Sequence, residues 1–586
     1  MNIQKSIVVL PFENTSPESE NEYFADGVTE ELINALGKIP GLKVTARTSS
    51  FAYKGRAKDI RIIGKELGVN TILEGSIRKS QNRVRVNTQL IRAKDGFQIW
   101  SERIKLNIED IFEVQDRISL LIADQIRENF GHFEIEDQLV MPDTNNLNAY
   151  SAFLKGRYYQ LKWDVNELNT AVEYYKRSIQ IDPSFYKPFF GLVQCYGYLA
   201  TWGLMDKEKA LQLAGYYFNQ GFKLNNNNFE AYFALANKTL WVNWQPNKAL
   251  VHLKQALLHQ PSDPEALESA AECHLALGSF QAALDYINRA IEVNPLSSNH
   301  YFTKGNIYYM QECFSAALEC FDKALQMDSK AEFPRQVSAN CYILMGNRAA
   351  LDGLVQSSKS LMESQLFESL YDAINEGKSI ATIEADDFCD VYLPWRFWTL
   401  LYDGKEEEAL ECLSWGIENR LSQYINFQHD PLNNPLKSNP KFRQLANAVF
   451  DEPLTETISP KKEVKALLSP DEQEAYIQKL EQLMMDKKVY KEPTLSLRTL
   501  AKKIGLNVNR LSWLFNKVIG TNFNEYVNKL RLAEFKRKAP DPSFSNYTIL
   551  GVAYECGFNS KSVFNEFFKK VEGVSPSIWL KTQKNQ

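Results

Sequence analysis

The stretch "TILGVAYECGFNSKSVFNEFFKKVEG", residues 548–573, decides how the end of this 586-residue chain folds. Ile549, Leu550, Val552 and Ala553 form an apolar run, Gly557 interrupts it, and Phe564 and Phe568 resume the helical period until Gly573 stops it. Two short helices joined by a turn follow from that pattern. Ala553 lies four residues before the turn glycine, where a small side chain lets the second helix cross at close range.

The arrangement occurs twice. "LSLRTLAKKIGLNVNRLSWLFNKVIG", residues 495–520, sets Ala501 four residues before Gly505, with Leu511, Phe515 and Gly520 at +6, +10 and +15 from it. In the later copy Phe564, Phe568 and Gly573 stand at +7, +11 and +16 from Gly557, so one added turn residue accounts for the shift. Leu500 and Ile504 face inward, Asn507 is placed to cap, and Leu514 adds an anchor. A helix over "NFNEYVNKLRLAEFKRK" (522–538) joins the copies. An amphipathic helix beginning at Pro470 precedes them, with Tyr476, Leu480, Leu483 and Met484 on one face.

Two such units in one polypeptide resemble the carboxy-terminal domain of AraC-type transcription regulators, from about residue 470 to 581, and "GFNSKSVFNEFFKKVEGVSPSIW" is similar to that family's second-motif signature. The resemblance implies two recognition helices roughly 34 Å apart that enter successive major grooves. It implies base-facing positions at Asn509, Arg510, Ser512 and Trp513 on the first, and at Lys561, Ser562, Asn565 and Glu566 on the second. Arg510 suits guanine, Asn509 or Asn565 adenine, and Glu566 a cytosine amino group. Trp513 and Glu566 stand where the family often carries Arg. Lys502, Lys503, Lys517, Lys569 and Lys570 are expected at phosphates.

Charge divides in the same sense. Residues 469–586 hold 19 Lys+Arg against 12 Asp+Glu, a surplus of +7, whereas the first 468 carry −12. A basic segment on an acidic body is the electrostatic footprint of a nucleic-acid partner.

Upstream the signal is repetition. Ala249, Ala283 and Ala317 are 34 residues apart, as are Ala256, Ala290 and Ala324, and the bulky Leu253, Ile287 and Phe321 between them. Pro261 and Pro295 share the interval, with Ser329 in third place. This is the tetratricopeptide pattern: small residues where paired helices approach, a bulky one filling the gap, and proline ending the second helix. Ala171, Tyr175 and Pro183 mark an earlier unit, and Ala214, Phe218 and Gly221 a degenerate one. Stacked units predict a curved solenoid whose concave face takes a protein or peptide partner. Tyr301, Tyr308, Tyr309, Trp241 and Trp244 are candidates for that groove or for helix packing. "FDEPLTETISPKKEVKALLSPDEQ" (450–473) is polar and proline-punctuated and reads as a linker.

The first 130 residues alternate strands and helices. "SIVVLPF" (6–12) and "LKVTART" read as strands, "FADGVTEELINALGKI" and "KDIRIIGKELG" as helices. "TILEGSIRKS", "RVRVNTQLIRA" and "FQIWSERIKL" follow as strands with turns at Gln81-Asn82 and Asp95-Gly96, before the helix "IEDIFEVQDRISLLIADQIREN". Asp26 is expected to cap a helix starting near Val28, and Gly75 to ease a strand bend. The segment resembles the TolB-like module that precedes helical repeats in many bacterial regulators and cyclase-linked proteins. That resemblance implies a non-enzymatic sensing or docking role.

Other function classes find no support. No phosphate-cradling glycine loop, H-E-x-x-H or nucleophile elbow occurs in a suitable context, so no catalytic residues and no cofactor are expected. His252 and His259 are seven apart without a completing thiol or carboxylate, which argues against a metal. The eight cysteines are scattered, as for reduced thiols. No apolar run is long enough for a spanning helix or a secretory signal, so a cytoplasmic protein with no membrane partner is expected.

The sequence thus predicts a mainly α multidomain protein: a TolB-like α/β domain over 1–130, an α-solenoid of tetratricopeptide repeats over 147–450, a linker over 451–468, and an all-α double helix-turn-helix domain over 469–586. The expected function is transcription regulation through promoter DNA, with an unidentified small-molecule effector as a further partner. The alternative is a repeat-based scaffold with a tethering tail.

Overall fold

The computed structural model describes residues 5–16, 21–80, 83–107, 111–130, 135, 139, 143–162, 165–201, 205–357, 361–380, 393–450, 467–544 and 546–584. The fold is mainly α. A small sheet lies at the start, a helical array follows, and two helical cores close the chain.

The sheet comprises β1 (Ser6–Val9), β2 (Glu13–Asn14), β3 (Lys43–Val44), β4 (Thr71–Ser80), β5 (Arg83–Arg92) and β6 (Gln98–Asn107), in the order β3-β1-β4-β5-β6 with β2 also on β4. β1 pairs in parallel with β3 and β4, and β4, β5 and β6 run antiparallel. β1 is central and buried on both faces, which is why "SIVV" has no polar alternation. Helices α1 (Glu22–Gly37) and α4 (Ile111–Phe130) pack on one face through Leu32, Leu36, Ile118, Ile122 and Ile126. α3 (Ile60–Leu67) covers the other with Ile63 and Leu67. At Gly75 a Cβ would stand 2.4 Å from the Asn87 carbonyl oxygen and 3.1 Å from the Phe12 ring, so glycine allows this close approach, while the pairing of β4 with β5 runs through it without a register break.

Two local expectations change. "LKVTART" contributes only the two residues of β3, because the Ala46 N–H donates to the Val293 carbonyl and the chain leaves the sheet as helix α2 (Arg47–Phe51). Asp26 does not cap α1. The helix begins at Glu22, and Asp26 lies inside it, buried and ion-paired with Lys54 at 2.6 Å. The Asp95-Gly96 turn forms with Gly96 at φ 74°, whereas Gln81-Asn82 lies outside the described residues.

The array runs through α5 (Leu147–Gln160), α6 (Val165–Ile181), α7 (Lys187–Thr201), α8 (Lys207–Leu224), α9 (Phe229–Asn237), α10 (Pro246–His259), α11 (Pro264–Ala276), α12 (Phe280–Val293), α13 (Ser298–Met310) and α14 (Phe314–Met327). It continues in α15 (Glu332–Leu344), α16 (Arg348–Ser357), α17 (Leu361–Glu376), α18 (Trp395–Tyr402), α19 (Glu406–Glu418) and α20 (Pro440–Ala448). The six alanines at the 34-residue interval are all fully buried, as are Ile287 and Phe321, while Leu253 is 1% exposed. Tyr309 and Trp244 are core residues, not groove residues, and the Tyr309 hydroxyl donates to Asp430 at 2.9 Å. His252 and His259 are half-buried. Among the described residues no group of His, Cys, Asp and Glu is placed to hold a metal ion, and no helix is long and apolar enough to cross a membrane.

The N-terminal domain rests on this array through α1 and through α2. α1 packs against α5, and Ser49 bonds Asn294 at 2.6 Å and accepts from the Leu296 N–H at 3.0 Å. Most of the expected linker lies outside the described residues, which resume at Leu467.

Candidate nucleic-acid interface

The last region contains α21 (Pro470–Glu481), α22 (Leu497–Ile504), α23 (Val508–Trp513), α24 (Phe523–Lys538), α25 (Ile549–Glu555), α26 (Lys561–Glu572) and α27 (Pro576–Lys584). Ser469 and Glu472 form a reciprocal cap that starts α21. Gly505, at φ 71°, ends α22, and the Asn507 side chain accepts from the Asn509 N–H at 2.8 Å to start α23. Leu500, Ala501, Leu511, Leu514 and Phe515 are at most 1% exposed and form the first core with Leu480 and Met484. Ala553, Phe558, Phe564 and Phe568 form the second. Every residue of either core lies between Leu467 and Leu580, so both cores are built from this region's own residues.

α24 holds the two cores together. Its first half gives Phe523 and Val527 to the first, and its second half gives Leu532 and Phe535 to the second. Between them Arg531, 7% exposed, donates to the carbonyls of Tyr490 at 2.6 Å and Glu492 at 2.9 Å. Burial lowers its guanidinium pKa to about 10. A single helix shared by two cores fixes the spacing of α23 and α26.

Of the expected base-facing residues on α26, Lys561, Ser562 and Glu566 are exposed and Asn565 half-exposed. Lys502, Lys503, Lys517, Lys569 and Lys570 are all exposed. The first recognition helix differs. Ser512 and Trp513 were expected at the surface but are 1% and 7% exposed. Trp513 packs into the first core itself, whereas Asn509, one turn earlier on α23, keeps a half-buried face.

Residues far upstream in the sequence touch that face. Arg127 of α4 donates to Asn509 Oδ1 at 2.5 Å, the Ile135 N–H donates to the same oxygen at 3.2 Å, and Asn509 Nδ2 donates to the Ile135 carbonyl at 2.8 Å. Beside it the Arg498 Nε donates to Asp124 at 2.8 Å, and the Leu497 N–H at the start of α22 donates to Glu128 at 2.7 Å. α26 is touched as well, where Arg92 pairs with Glu566. Arg510 is turned inward to its own domain, donating to Leu467 O at 3.0 Å and Glu472 at 2.8 Å.

Sequence reasoning missed Arg92, Asp124, Arg127, Glu128 and Ile135. No local signal marks them, because each contact joins residues 369 to 474 positions apart. The charge split between body and tail was the only hint.

Family models match three parts of the chain. A helix-turn-helix domain model matches residues 500–582, tetratricopeptide models match 245–302 and 275–332, and a model of the HilA/YgeH-like transcriptional regulator second domain matches 3–121. The model matching the first segment is thus HilA-like, where the sequence suggested a TolB-like module. The chain is 41% identical over 178 residues to "Putative adenylate cyclase 3" of Rhizobium meliloti (strain 1021), covering 30% of each protein. It is 21% identical over 322 residues to "Transcriptional regulator HilA" of Salmonella typhimurium, covering 54% of this chain and 56% of that one. Neither relative is spanned over two thirds of its length. Among solved structures, the type IV pilus biogenesis factor PilW aligns at a TM-score of 0.32 and 15% identity, over 38% of this chain and 98% of its own. Segment by segment, the chain is thus similar to a HilA/YgeH-like transcriptional regulator domain, to tetratricopeptide repeats and to an AraC-type helix-turn-helix domain.

Proposed function

We propose that this protein is a cytoplasmic, sequence-specific transcription regulator with no catalytic step of its own. Residues 1–130 and the repeats over 147–450 receive a signal, from a protein or peptide partner or a small-molecule effector. Residues 469–586, beyond a linker over 451–468, bind promoter DNA. The observation that carries the reading is α24, which feeds both cores and so presents two recognition helices edged by exposed lysines on one spine. Asn509, Lys561, Ser562, Asn565 and Glu566 read base edges once their outer faces are free, Arg510 does so only on leaving Leu467 and Glu472, and Lys502, Lys503, Lys517, Lys569 and Lys570 meet phosphates. Ser512 and Trp513 join the base-facing set only if their cover is removed.

The test is a gel-shift titration of residues 467–586 on genomic duplex fragments at rising salt. Five phosphate contacts predict a slope of log K against log salt of about −4 to −5. Lys517→Ala should lower it by about 1. A flat salt response, or absent binding, removes the proposal. A second reading, a repeat-based scaffold, is favoured by the repeats themselves. Protein partners without enriched DNA in crosslinked cells would establish it instead.

A further inference from the structure

We infer that the N-terminal domain is a built-in competitor of DNA, holding one base-facing side chain on each recognition helix so that docking to the sheet domain and entry into the grooves exclude each other. This rests on the DNA-binding reading above and specifies how that site is controlled.

The contact at Asn509 is chemically specific. An asparagine that reads adenine uses its amide oxygen and nitrogen together, against a donor and an acceptor on the base edge. The peptide groups of Ile135 present that same pair: an N–H to Oδ1 at 3.2 Å and a carbonyl to Nδ2 at 2.8 Å. Arg127 adds a charged donor to the oxygen, and its own side chain is 1% exposed and bonded to Asp124 at 2.6 Å. The backbone at 135 thus stands in for a base.

The second contact works by charge. Glu566 on α26 pairs with Arg92, which also holds Asp95 at 3.0 Å. Around the first, Asp124 pairs with Arg498, and Glu128 accepts from the Leu497 N–H at the N-terminal end of α22. Both recognition helices are therefore engaged from one side by one body.

Glu128 makes the contact pH-sensitive. Burial, with the neighbouring Asp124, raises its pKa to about 7, against the opposing Leu497 N–H, Arg127 and Gln125. Free in water a glutamate titrates near 4.3. Where undocking returns Glu128 to water, docking takes up a proton, so its advantage is present at low pH and lost as pH rises through about 7. DNA affinity of the full chain should rise between pH 6 and 8 relative to Glu128→Gln, which cannot titrate. Equal pH profiles would remove this part.

The deciding experiment compares the full chain, the full chain with Arg92→Ala and Arg127→Ala, and residues 467–586 on the same genomic duplex fragments, with hydrogen exchange followed in parallel. The full chain should bind about tenfold or more weaker than the fragment, and the double variant should recover most of the difference. Without DNA, α22 and α23 should be more protected in the full chain than in the fragment, and the variant should lose that excess while β4 and β5 stay protected. If β4 and β5 lose protection, the milder pair Arg92→Gln with Asp124→Asn replaces it. Equal affinity of full chain and fragment, or undiminished protection of α4 in the DNA complex, overturns the inference. If the fragment itself fails to bind, the DNA reading falls, and the exchange comparison alone decides whether the contact exists.

Discussion

Replacing Phe535 with alanine should remove roughly 3–5 kcal/mol from the second helix-turn-helix unit, the cost of truncating a large buried aromatic. Phe535 is fully buried in the middle of an aromatic cluster, with ring centroids 4.8 Å from Phe564 and 5.7 Å from Phe568. Phe558 and Trp579 extend the cluster at 5.1 Å from Phe564 and 5.8 Å from Phe568. The loss falls on α25 and α26, because α24 keeps Phe523 and Val527 in the other core. Hydrogen exchange should therefore show α25 and α26 opened and α22 and α23 unchanged, and DNA footprints of residues 467–586 should shrink from two grooves to one. Uniform exchange across both units would mean that they fold as a single core.

Gly557→Ala is the second large effect, and it acts on spacing. Gly557 sits at φ 100°, where an L side chain is strained by about 1–2 kcal/mol. Its new Cβ would stand 2.6 Å from the Tyr490 carbonyl oxygen and 2.8 Å from the Lys491 Cα, both backbone atoms with little room to yield. Overpacking of this kind adds about 1–3 kcal/mol. The same carbonyl accepts from Arg531, so the clash falls on the seam that ties the segment before α22 to the turn before α26. Urea unfolding should show a loss of about 3 kcal/mol in total. Any residual DNA binding should lose its preference for two sites at a fixed interval. A stable variant with that preference intact would show that the seam does not set the separation.

Much of the architecture is legible along the chain because each signal is local. Ala249, Ala283 and Ala317 announce the repeat because close helix approach demands a small residue at each unit, and all three are fully buried. Gly505 and Gly573 announce helix ends because a positive φ excludes most side chains, and both adopt it. The lysines expected at phosphates are exposed, four of them in the last turns of α22 and α26, where a cation suits the helix end.

Other features stayed hidden where distant chain segments compete for the same residues. Asp26 has the look of a cap, yet the apolar Tyr23 and Phe24 start α1 earlier and leave the carboxylate to Lys54. "LKVTART" has the composition of a strand, yet the array draws its backbone away at Ala46. The family resemblance puts Ser512 and Trp513 at base-facing positions, yet both are buried, Trp513 within the first core.

Taken alone, the order of residues determined which segments are helical, which faces are apolar and which end is basic, since turn chemistry and side-chain period act over a few positions. Only the tertiary structure decided that Asn509 meets Ile135 and Glu566 meets Arg92, since a hydrogen bond between groups hundreds of residues apart leaves no trace in spacing or composition.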